Sequence, residues 1–491
     1  MKGEYEKVDP GARLKLSRGD TDKLFDSIDA SHLSTAEKLR GSVALYKILD
    51  GRGIPVRSEL STLDEVFGNG FGNKIVEMHG GIGGLGIKLS KTSATMKSLE
   101  NAVSLAAPLR HGIALAYRKE FYPAFRDMFK MYGNKEFFDA SMDAIREHPN
   151  YPLFREAGGF ISKAASASSA EEEFLDSYIG NAPKWTGVPQ VVGASQRGYT
   201  GFLNKLRFDT FNAMTSQAKK LGNELSTTVG EGNAAQIIPS EATKAITRYI
   251  NTATGRGDLP FGLNKMTQEL NTVLWSPRMM ASRLTMFTDP TLYTKLPKGM
   301  RLEGLKSLLG IAALGTTINT LGAIAGGKLN ANPLSADFGK VRIGNHLIDS
   351  WGGFQQYVVG AARFLSGKTD STAPTSRLDI AGRFMANKES PIANLAHTIL
   401  TAKTDKSKKF SPAGGSGDFT TEYGQKTNLY SETAKRFTPI FIQDLHDIAA
   451  SDPKWSEDIG LKSVLVGASL AGMSQTYPEK HSTTFRKMKL R

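Results

Sequence analysis

Glycines in the segment Gly81–Gly86 stand in the spacing G-x-G-x-x-G, which can place helix N-terminal amides against the pyrophosphate of a dinucleotide. The residues Lys74–Met78 could supply the strand that this chemistry needs, and Glu100 lies near the position of a ribose-binding acid. Glu100 falls inside an apparent helix, however, and no second strand precedes it. We therefore interpret residues 80–90 as a glycine-rich hinge, and we predict no cofactor.

Metal and acid–base chemistry find no better support in the sequence. The eight histidines are scattered, with no pair four residues apart. The densest carboxylate run, Glu171–Glu173, is interpreted as a solvated first helical turn, because adjacent residues point around a helix. Neither Gly-x-Ser-x-Gly nor a Walker loop occurs. The sequence thus predicts no catalytic residue and no metal site, and an enzyme without a recognisable motif remains the alternative.

Composition narrows the classes of protein further. The chain has 491 residues, no cysteine, and 62 basic against 48 acidic residues, a net charge of +14. The lack of cysteine excludes disulfide frameworks, thiol nucleophiles and iron–sulfur clusters. A hydrophobic content of 40% argues against disorder of the whole chain. The segment Met1–Arg18 has no apolar core, so we expect no standard secretion signal. The basic excess is compatible with anionic partners such as DNA or membrane surfaces.

Helical patterns dominate the sequence. Ser34–Glu37 reads as a capping box, and a long helical pattern runs over 194–221. No alternation of strands and helices appears, which argues against an α/β core. Residues 341–343 and 346–348 alternate around a Gly-Asn turn and predict one β-hairpin. We expect a mainly α fold, elongated or bundled, with one small β-hairpin near 341–348.

Glycine-rich and polar stretches divide this fold into segments. The predicted divisions are an N-terminal helical segment 1–79, the hinge 80–90, a helical region 91–260, a central region 261–402, a linker 403–423 and a C-terminal helical region 424–491 with a basic tail.

The stretch 307–327 carries no charge over a length that could span a bilayer. Asparagine, threonine and five glycines favour a buried helix pair in a soluble core, and conditional membrane insertion is the alternative. Gly322 and Gly326 have the spacing of a close helix–helix contact, and Lys306 and Lys328 flank the stretch as interfacial anchors. The residues predicted to form the membrane helix are Leu308, Ile311, Leu314, Ile318, Leu321, Gly322, Ile324 and Gly326.

The C-terminus is strongly basic. Such a tail is usually a solvated end, but it could contact phosphates of DNA or lipid headgroups. Its charged residues are Arg486, Lys487, Lys489 and Arg491.

Several blocks of the sequence resemble a bacteriophage family, the large polyvalent protein-associated domains of long phage and prophage virion polypeptides. The more specific blocks are Asn271–Arg283, with its Ser-Pro-Arg, and Asp349–Tyr357, with its Trp-Gly-Gly-Phe-Gln. Supporting blocks are Arg197–Arg207, Ile250–Gly257, Ala336–Asn345, Ser390–Ala393 and Gln475–Tyr477. The resemblance covers roughly residues 90–480, with a family core over 261–402.

We interpret the residues of these blocks as structural residues that cap, pair or pack. Pro277 suits the first turn of a helix with Ser276 as its cap, and Arg278 and Arg283 could pair with acids or carbonyls in an interface. Trp351, Phe354 and Tyr357 are expected close to one helical face, as packing residues or a partner site. The candidate interface residues are Ser276, Pro277, Arg278, Arg283, Trp351, Gly352, Gly353, Phe354 and Gln355.

The resemblance implies a non-enzymatic internal virion protein that leaves with the genome and assists its passage across the host envelope. Relatives often end very long chains that carry enzymatic domains, and because this chain has its own Met1 we expect no such activity here. Expected partners are other virion proteins and a second copy, with contacts to membrane and packaged DNA. The expected location is the virion interior, then the host envelope. The alternative is a scaffolding module that assembles with other virion proteins without membrane contact.

Overall fold

The protein is mainly helical, with short antiparallel strands between the helices, which confirms the predicted fold class. The computed structural model describes residues 18–50, 57–68, 71, 110–162, 188–230, 236–260, 263–264, 267–324, 326–343, 346–369, 376–401, 419–420, 426–438, 443, 466 and 474–476. The hinge 80–90, the run Glu171–Glu173, the basic tail and most of 403–423 and 424–491 lie outside the described residues.

The helices of the described chain vary from one turn to nine. They are α1 (Arg18–Asp29), α2 (Thr35–Asp50), α3 (Arg57–Phe67), α4 (Phe121–Gly133), α5 (Lys135–Arg146), α6 (Tyr151–Glu156), α7 (Val188–Lys220), α8 (Glu241–Ala253), α9 (Thr267–Val273), α10 (Pro277–Thr288), α11 (Thr291–Thr294), α12 (Arg301–Ile324), α13 (Gln355–Ser366), α14 (Arg377–Ala386), α15 (Pro391–Thr401) and α16 (Leu429–Phe437). Short 3-10 turns occupy Ile113–Leu115 and Lys298–Met300.

Local capping explains where several helices begin. The predicted capping box at Ser34 forms: the Ser34 amide donates to Glu37 Oε2 over 3.0 Å. Ser240 caps α8, because its hydroxyl accepts a hydrogen bond from the Thr243 amide at 3.2 Å. These contacts satisfy backbone donors that have no partner within the first helical turn.

The main core is built around the long helix α7, which packs against α4, α5 and α8. Apolar side chains recur along α7 at helical spacing, so one stripe is removed from water along much of its length. The fully buried members of this stripe are Phe202, Leu203, Leu206, Phe211, Met214 and Ala218. Aromatic rings of α4 and α6 complete the core, with Phe121 edge-on to Phe202 and Phe154 edge-on to Phe211.

The N-terminal helices α1–α3 form a second, smaller core of their own around Ile28, Leu45 and Leu63. Arg155, on α6, joins this N-terminal cluster to the main core. Its Nη2 lies 2.7 Å from Glu37 Oε2 and 3.9 Å from Glu65 Oε2. The predicted N-terminal helical segment therefore contacts the rest of the chain through charged side chains.

The predicted β-hairpin is confirmed. Strands β4 (Val341–Ile343) and β5 (His346–Ile348) pair antiparallel, with Val341 opposite Ile348. Two further strands, β3 (Lys328–Leu329) and β8 (Ser474–Thr476), extend the hairpin into a four-stranded sheet.

Two other hairpins were not predicted from the sequence. They join β1 (Ser226–Val229) to β2 (Gln236–Pro239) and β6 (Phe419–Thr420) to β7 (Lys426–Thr427). Strands of two to four residues carry little alternation, and these pairs have no two-residue turn between them such as the one that identified the hairpin at 341–348.

Candidate functional site

Helix α12 corresponds to the apolar segment 307–327 that the sequence singles out, but both of its ends differ from the predicted ones. It begins at Arg301 rather than 307, and together with the preceding 3-10 turn it spans Lys298–Ile324. By length and composition this stretch could cross a membrane, and within the described residues it alone meets that criterion. The site is therefore built outward from α12.

The C-terminal end of α12 corrects one prediction. Gly326 has a φ of +86° and lies beyond the helix. The Gly327 amide donates to the Gly322 carbonyl at 2.9 Å, the bond of a Schellman cap. Gly322 and Gly326 therefore do not form a helical GxxxG face, and Gly326 is not part of the predicted membrane helix. The left-handed turn ends the helix before its second glycine.

One face of α12 consists of small residues and packs against the protein. A Cβ built at Gly315 would lie 2.7 Å from Trp351 Cε3, and one at Gly322 would lie 2.8 Å from Val341 Cγ1. Ile311, with 5% exposure, joins the main core. The glycines thus serve close packing of the helix on the turn at Trp351 and on the hairpin, not on a second helix.

The opposite face of α12 is apolar and exposed. Leu302 is 64% exposed, Leu309 63%, Leu321 61% and Ile324 78%, and Ala313 is also exposed. Only 24% of the most apolar 18-residue stretch is buried. The expectation of a buried helix pair in a soluble core is therefore wrong, because α12 contributes one narrow face to the core and leaves the rest uncovered.

The predicted membrane residues divide between these two faces. Leu321 and Ile324 are exposed, Leu308 and Ile318 are half-buried, and Ile311 is buried. The side chain of Leu314 lies outside the described part of the structure.

Threonines on the exposed face satisfy their hydroxyl groups within the helix. Thr316 and Thr317 donate to the carbonyls of Ala312 and Ala313 at 2.8 Å, and Thr320 donates to Thr316 at 2.9 Å. A hydroxyl that is bonded to its own helix costs less to place in an apolar environment. The polar residues that argued for a core helix are therefore compatible with an apolar partner surface.

Of the two expected flanking cations, Lys328 flanks the helix as predicted and Lys306 does not. Lys306 lies in the second turn of α12 rather than before the helix, and it pairs with Glu303. Exposed Lys298 and Arg301 stand at the actual start of the helix, and exposed Lys328 stands after its end. Positive charge thus borders the apolar face at both ends.

A cluster of hydrogen bonds, here called the Trp351 clamp, holds α12 from the middle to its C-terminal half. Trp351 Nε1 donates to the Gly339 carbonyl at 2.8 Å, and Asn319 Nδ2 donates to the same carbonyl at 2.6 Å. Ser350 Oγ donates to the Gly315 carbonyl at 3.2 Å. Asn319 is thereby satisfied in a buried position, so the polar residue of α12 orients the helix.

Trp351 and Phe354 do not share a helical face, which corrects the predicted i, i+3, i+6 arrangement with Tyr357. Gly352 and Gly353 have φ values of +57° and +83°, and α13 begins only at Gln355. Two consecutive left-handed residues reverse the chain, so Trp351 reaches α12 while Phe354, 1% exposed, enters the main core. Gln355 Nε2 donates to the Ala336 carbonyl at 3.0 Å and ties this turn to the hairpin region.

The Ser-Pro-Arg block begins a helix as expected, but its cap differs. Pro277 is the first residue of α10 and Ser276 occupies the cap position. The Ser276 hydroxyl makes no capping bond, and its backbone ψ is 79°, whereas capping Ser240 has a ψ of 162°. The prediction that the Ser276 side chain caps α10 is therefore wrong, and proline alone sets the first turn.

Arg278 and Arg283, on α10, differ in their surroundings. Arg278 is half-buried. Arg283 is 1% exposed, donates from Nη2 to the carbonyl of Arg110, and stacks with Cζ 3.8 Å from the centre of the Phe354 ring. The expected pairing with a carbonyl is thus present for Arg283.

Blocks that are far apart in the sequence meet around α10. The Trp275 amide donates to the Lys388 carbonyl and the Ser390 amide to the Val273 carbonyl, each at 2.7 Å. Gly257 lies against the backbone of Ser282 so closely that a side chain would not fit. The segments around 273–283 and 388–390 and the block at 250–257 therefore form one packed region.

The start of α12 is held by half-buried Tyr117 and buried Tyr249. The Tyr117 hydroxyl donates to the Glu303 carbonyl at 2.7 Å and lies 3.3 Å from the Tyr249 hydroxyl. Burial, together with Tyr117, raises the pKa of Tyr249 well above its ordinary value, so its hydroxyl stays protonated. This arrangement is a hydrogen-bond network that ties the start of α12 to Tyr249 on α8.

Within the described ranges, no group of three or more His, Asp or Glu side chains could hold a metal ion.

Comparison of the chain with protein-family models, with curated proteins and with solved structures finds no match.

Proposed function

We propose that this chain is a non-enzymatic bacteriophage internal virion protein that leaves the particle with the genome and assists its passage across the host envelope. In this proposal α12 is the element that contacts the membrane. The observation that carries it is the exposed apolar face of α12, and the phage assignment comes from the sequence resemblance. The proposal also accounts for the lack of a recognisable catalytic motif.

The dimensions of α12 suit a bilayer. A helix of 24 residues, at about 1.5 Å per residue, is about 36 Å long, and the hydrocarbon core of a bilayer is about 30 Å thick. The threonine hydroxyls bonded within the helix and the border of Lys298, Arg301 and Lys328 suit an apolar slab with anionic surfaces.

Before the protein meets a membrane, the Trp351 clamp would hold the same helix against the rest of the protein. In the particle, Trp351, Asn319 and Gly339 hold α12 against the protein through one face. At the membrane, the exposed face binds first, and release of the clamp would allow the helix to insert. A helix with two environments of similar free energy is the kind of two-state element that such a protein needs.

Vesicle flotation tests the membrane contact. We expect the purified protein to float with vesicles that contain phosphatidylglycerol. Leu309→Arg and Ala313→Arg should abolish flotation, because each places a charge on the exposed face without disturbing the clamp. Leu378→Arg is the matched control, because Leu378 is an 83% exposed leucine on α14. No flotation at neutral or acidic pH, or equal loss in the control variant, would contradict the proposed contact.

Particle composition tests the virion assignment separately. Quantitative mass spectrometry of purified particles before and after triggered genome release should find the protein before release and less of it after. Retention after release would favour a structural role in the particle. Absence from mature particles would overturn both the proposed role in genome passage and the structural role.

A scaffolding module without membrane contact is the second candidate, and exposed leucines outside α12 favour it. Leu365 on α13 is 77% exposed, Leu378 on α14 is 83% exposed and Leu400 on α15 is 85% exposed. Other virion proteins could cover these side chains. If Leu365→Arg or Leu400→Arg reduces particle incorporation while the α12 variants do not, the scaffolding function is the better one.

A further inference from the structure

A cavity of about 280 Å³ lies where the N-terminal cluster meets the main core. Part of its lining comes from the start of α2 and the residues just before it, and the rest comes from the end of α5, from α6 and from β2. The volume is just below the range of about 300–1,000 Å³ that drug-sized ligands fill, so the cavity suits a smaller molecule. The lysine, arginine and glutamate side chains that line it are Lys38, Arg146, Arg155 and Glu156.

The two arginines of the cavity already have carboxylate partners. Arg155 Nη2 lies 2.7 Å from Glu37 Oε2, and Arg146 Nη1 lies 2.8 Å from Asp143 Oδ1. Neither of these carboxylates lines the cavity. The charges of both arginines are therefore compensated from within the protein.

Lys38 and Glu156 have no such partner, and both are half-buried. Lys38 Nζ donates to the Asp29 carbonyl at 2.8 Å, which leaves two of its three N–H groups over. Glu156 Oε1 accepts from the Thr35 amide at 2.9 Å and from the Thr35 hydroxyl at 3.1 Å, and Oε2 accepts from neither. Within the described chain neither side chain forms an ion pair, so one ammonium and one carboxylate face this cavity uncompensated.

Helix α2 keeps these two charges close to each other. Glu156 is bonded to Thr35, the first residue of α2, where the helix dipole favours a carboxylate. Lys38 is three residues further along α2, so it neighbours Thr35 on the helix surface. A small molecule in the cavity can therefore reach both charged groups at once.

We propose that this cavity binds a small zwitterion, a molecule of amino-acid size that carries one carboxylate and one ammonium group. The carboxylate of the ligand accepts from Lys38, and its ammonium donates to Glu156. Charge-assisted hydrogen bonds of this kind are stronger than neutral ones. A simple anion would leave Glu156 uncompensated, and a simple cation would leave Lys38 uncompensated.

The position of the cavity gives binding a structural consequence. A bound zwitterion contacts Lys38 of the N-terminal cluster and Glu156 of α6, so it favours the state in which the two parts of the chain are in contact. The site is independent of the proposed membrane contact of α12.

Calorimetric titration of the full chain at neutral pH tests the site. The probes are glycine, 4-aminobutyrate and 6-aminohexanoate, which differ in the separation of their two charges. We expect saturable binding of at least one probe, with one molecule per chain. The fatty acid and the alkylamine of the same chain length, butyrate and butylamine for 4-aminobutyrate, should bind at least about tenfold more weakly, because each lacks one charged group.

Charge-removing variants locate the binding. Glu156→Gln retains an acceptor for Thr35, and it should weaken binding of the best probe about tenfold, as should Lys38→Gln. Glu136→Gln and Lys244→Gln are the matched controls. Glu136 is exposed on α5, and the Lys244 side chain is 48% exposed and paired with Glu241. Both control variants should bind like the unaltered chain.

Limited proteolysis provides a second readout. A saturating concentration of the best probe should slow release of the N-terminal cluster from the unaltered chain, and butyrate or butylamine at the same concentration should not. Binding without this protection would contradict a position between the two parts of the chain.

Absence of saturable binding of all three zwitterions to the unaltered chain would overturn the proposal, and this measurement does not depend on how any variant folds. Equally tight binding of the matched fatty acid or alkylamine would overturn the zwitterion specificity. Unchanged affinity in both Glu156→Gln and Lys38→Gln would place the binding elsewhere and overturn the assigned site.

Discussion

The indole ring of Trp351 lies directly over Gly315 in the middle of α12, where a Cβ at Gly315 would approach Trp351 Cε3 to 2.7 Å. This contact joins the Trp-Gly-Gly-Phe-Gln block to the apolar helix. It also explains why α12 has a glycine at the point where the turn crosses it.

Gly315→Ala should destabilise the protein by about 1–3 kcal/mol, because the added methyl group forces the indole or the helix to move. Gly382→Ala is the matched control: Gly382 lies in helix α14 with open space around it. There the same change should be neutral or stabilising by up to about 1 kcal/mol. Urea unfolding of the two variants measures the difference, and equal free energies of unfolding would argue against the close contact.

Trp351→Ala should cost about 3–5 kcal/mol, because it removes the large ring that covers Gly315. Trp351→Phe keeps an aromatic ring but loses the indole donor and part of the ring, while the Gly339 carbonyl still accepts from Asn319. We expect about 1 kcal/mol for that variant. Thermal unfolding provides the comparison. An unaffected melting temperature in the alanine variant would exclude a packing role for Trp351.

Arg155→Met should uncouple the N-terminal cluster from the main core. The variant leaves Glu37 and Glu65 without the guanidinium that faces both, at a cost of about 3 kcal/mol for a buried pair. Limited proteolysis should then release the N-terminal cluster sooner. Lys135→Met provides the control, since its pair with Asp139 is exposed and is worth under about 1 kcal/mol. Identical digestion of both variants would show that Arg155 does not hold the cluster.

The same ion pair predicts sensitivity to acid. Burial tends to raise the pKa of Glu37, but Arg155 and the hydrogen bonds from Ser34 outweigh it, and the net pKa lies below the ordinary 4.5. A carboxyl with a lowered pKa stabilises the fold above pH 4.5, and this stabilisation is lost as the pH falls through the folded-state value. The free energy of unfolding of Glu37→Gln should therefore depend less on pH in this acidic range.

The lowered pKa of Lys388 predicts a second rise of stability with pH, in the alkaline range. Its pKa falls from 10.5 to about 8, so between these values the unfolded chain binds the proton that the folded chain has released. Stability should then rise with pH from about 8 to 10.5, by up to about 3 kcal/mol. Urea unfolding of Lys388→Met should show a smaller rise, because only Arg283, whose pKa is lowered to about 9, then still contributes. A rise of equal size in that variant would assign it to another group, such as Arg283.

The mainly α fold, the capping box at Ser34 and the hairpin at 341–348 could be predicted because each depends on residues close together in the chain. Helical periodicity, caps and two-residue turns are local properties. The start of α10 at Pro277 belongs with them. The additional strands β3 and β8 could not be predicted, because two or three residues become a strand only when the tertiary structure brings the hairpin edge beside them.

In the candidate site too, some features could be predicted from the sequence and others depend on the tertiary structure. The sequence by itself determined that 307–327 is apolar and uncharged and that most of it is helical, and that Trp351 and Arg283 stand in distinctive blocks. Only the tertiary structure decided that Gly315 and Gly322 face Trp351 and Val341 while Leu302, Leu309 and Leu321 remain exposed, and that Arg283 is buried against the Phe354 ring. The physical reason is that exposure and charge compensation depend on which distant segments pack together, and helical periodicity within one segment does not contain that information.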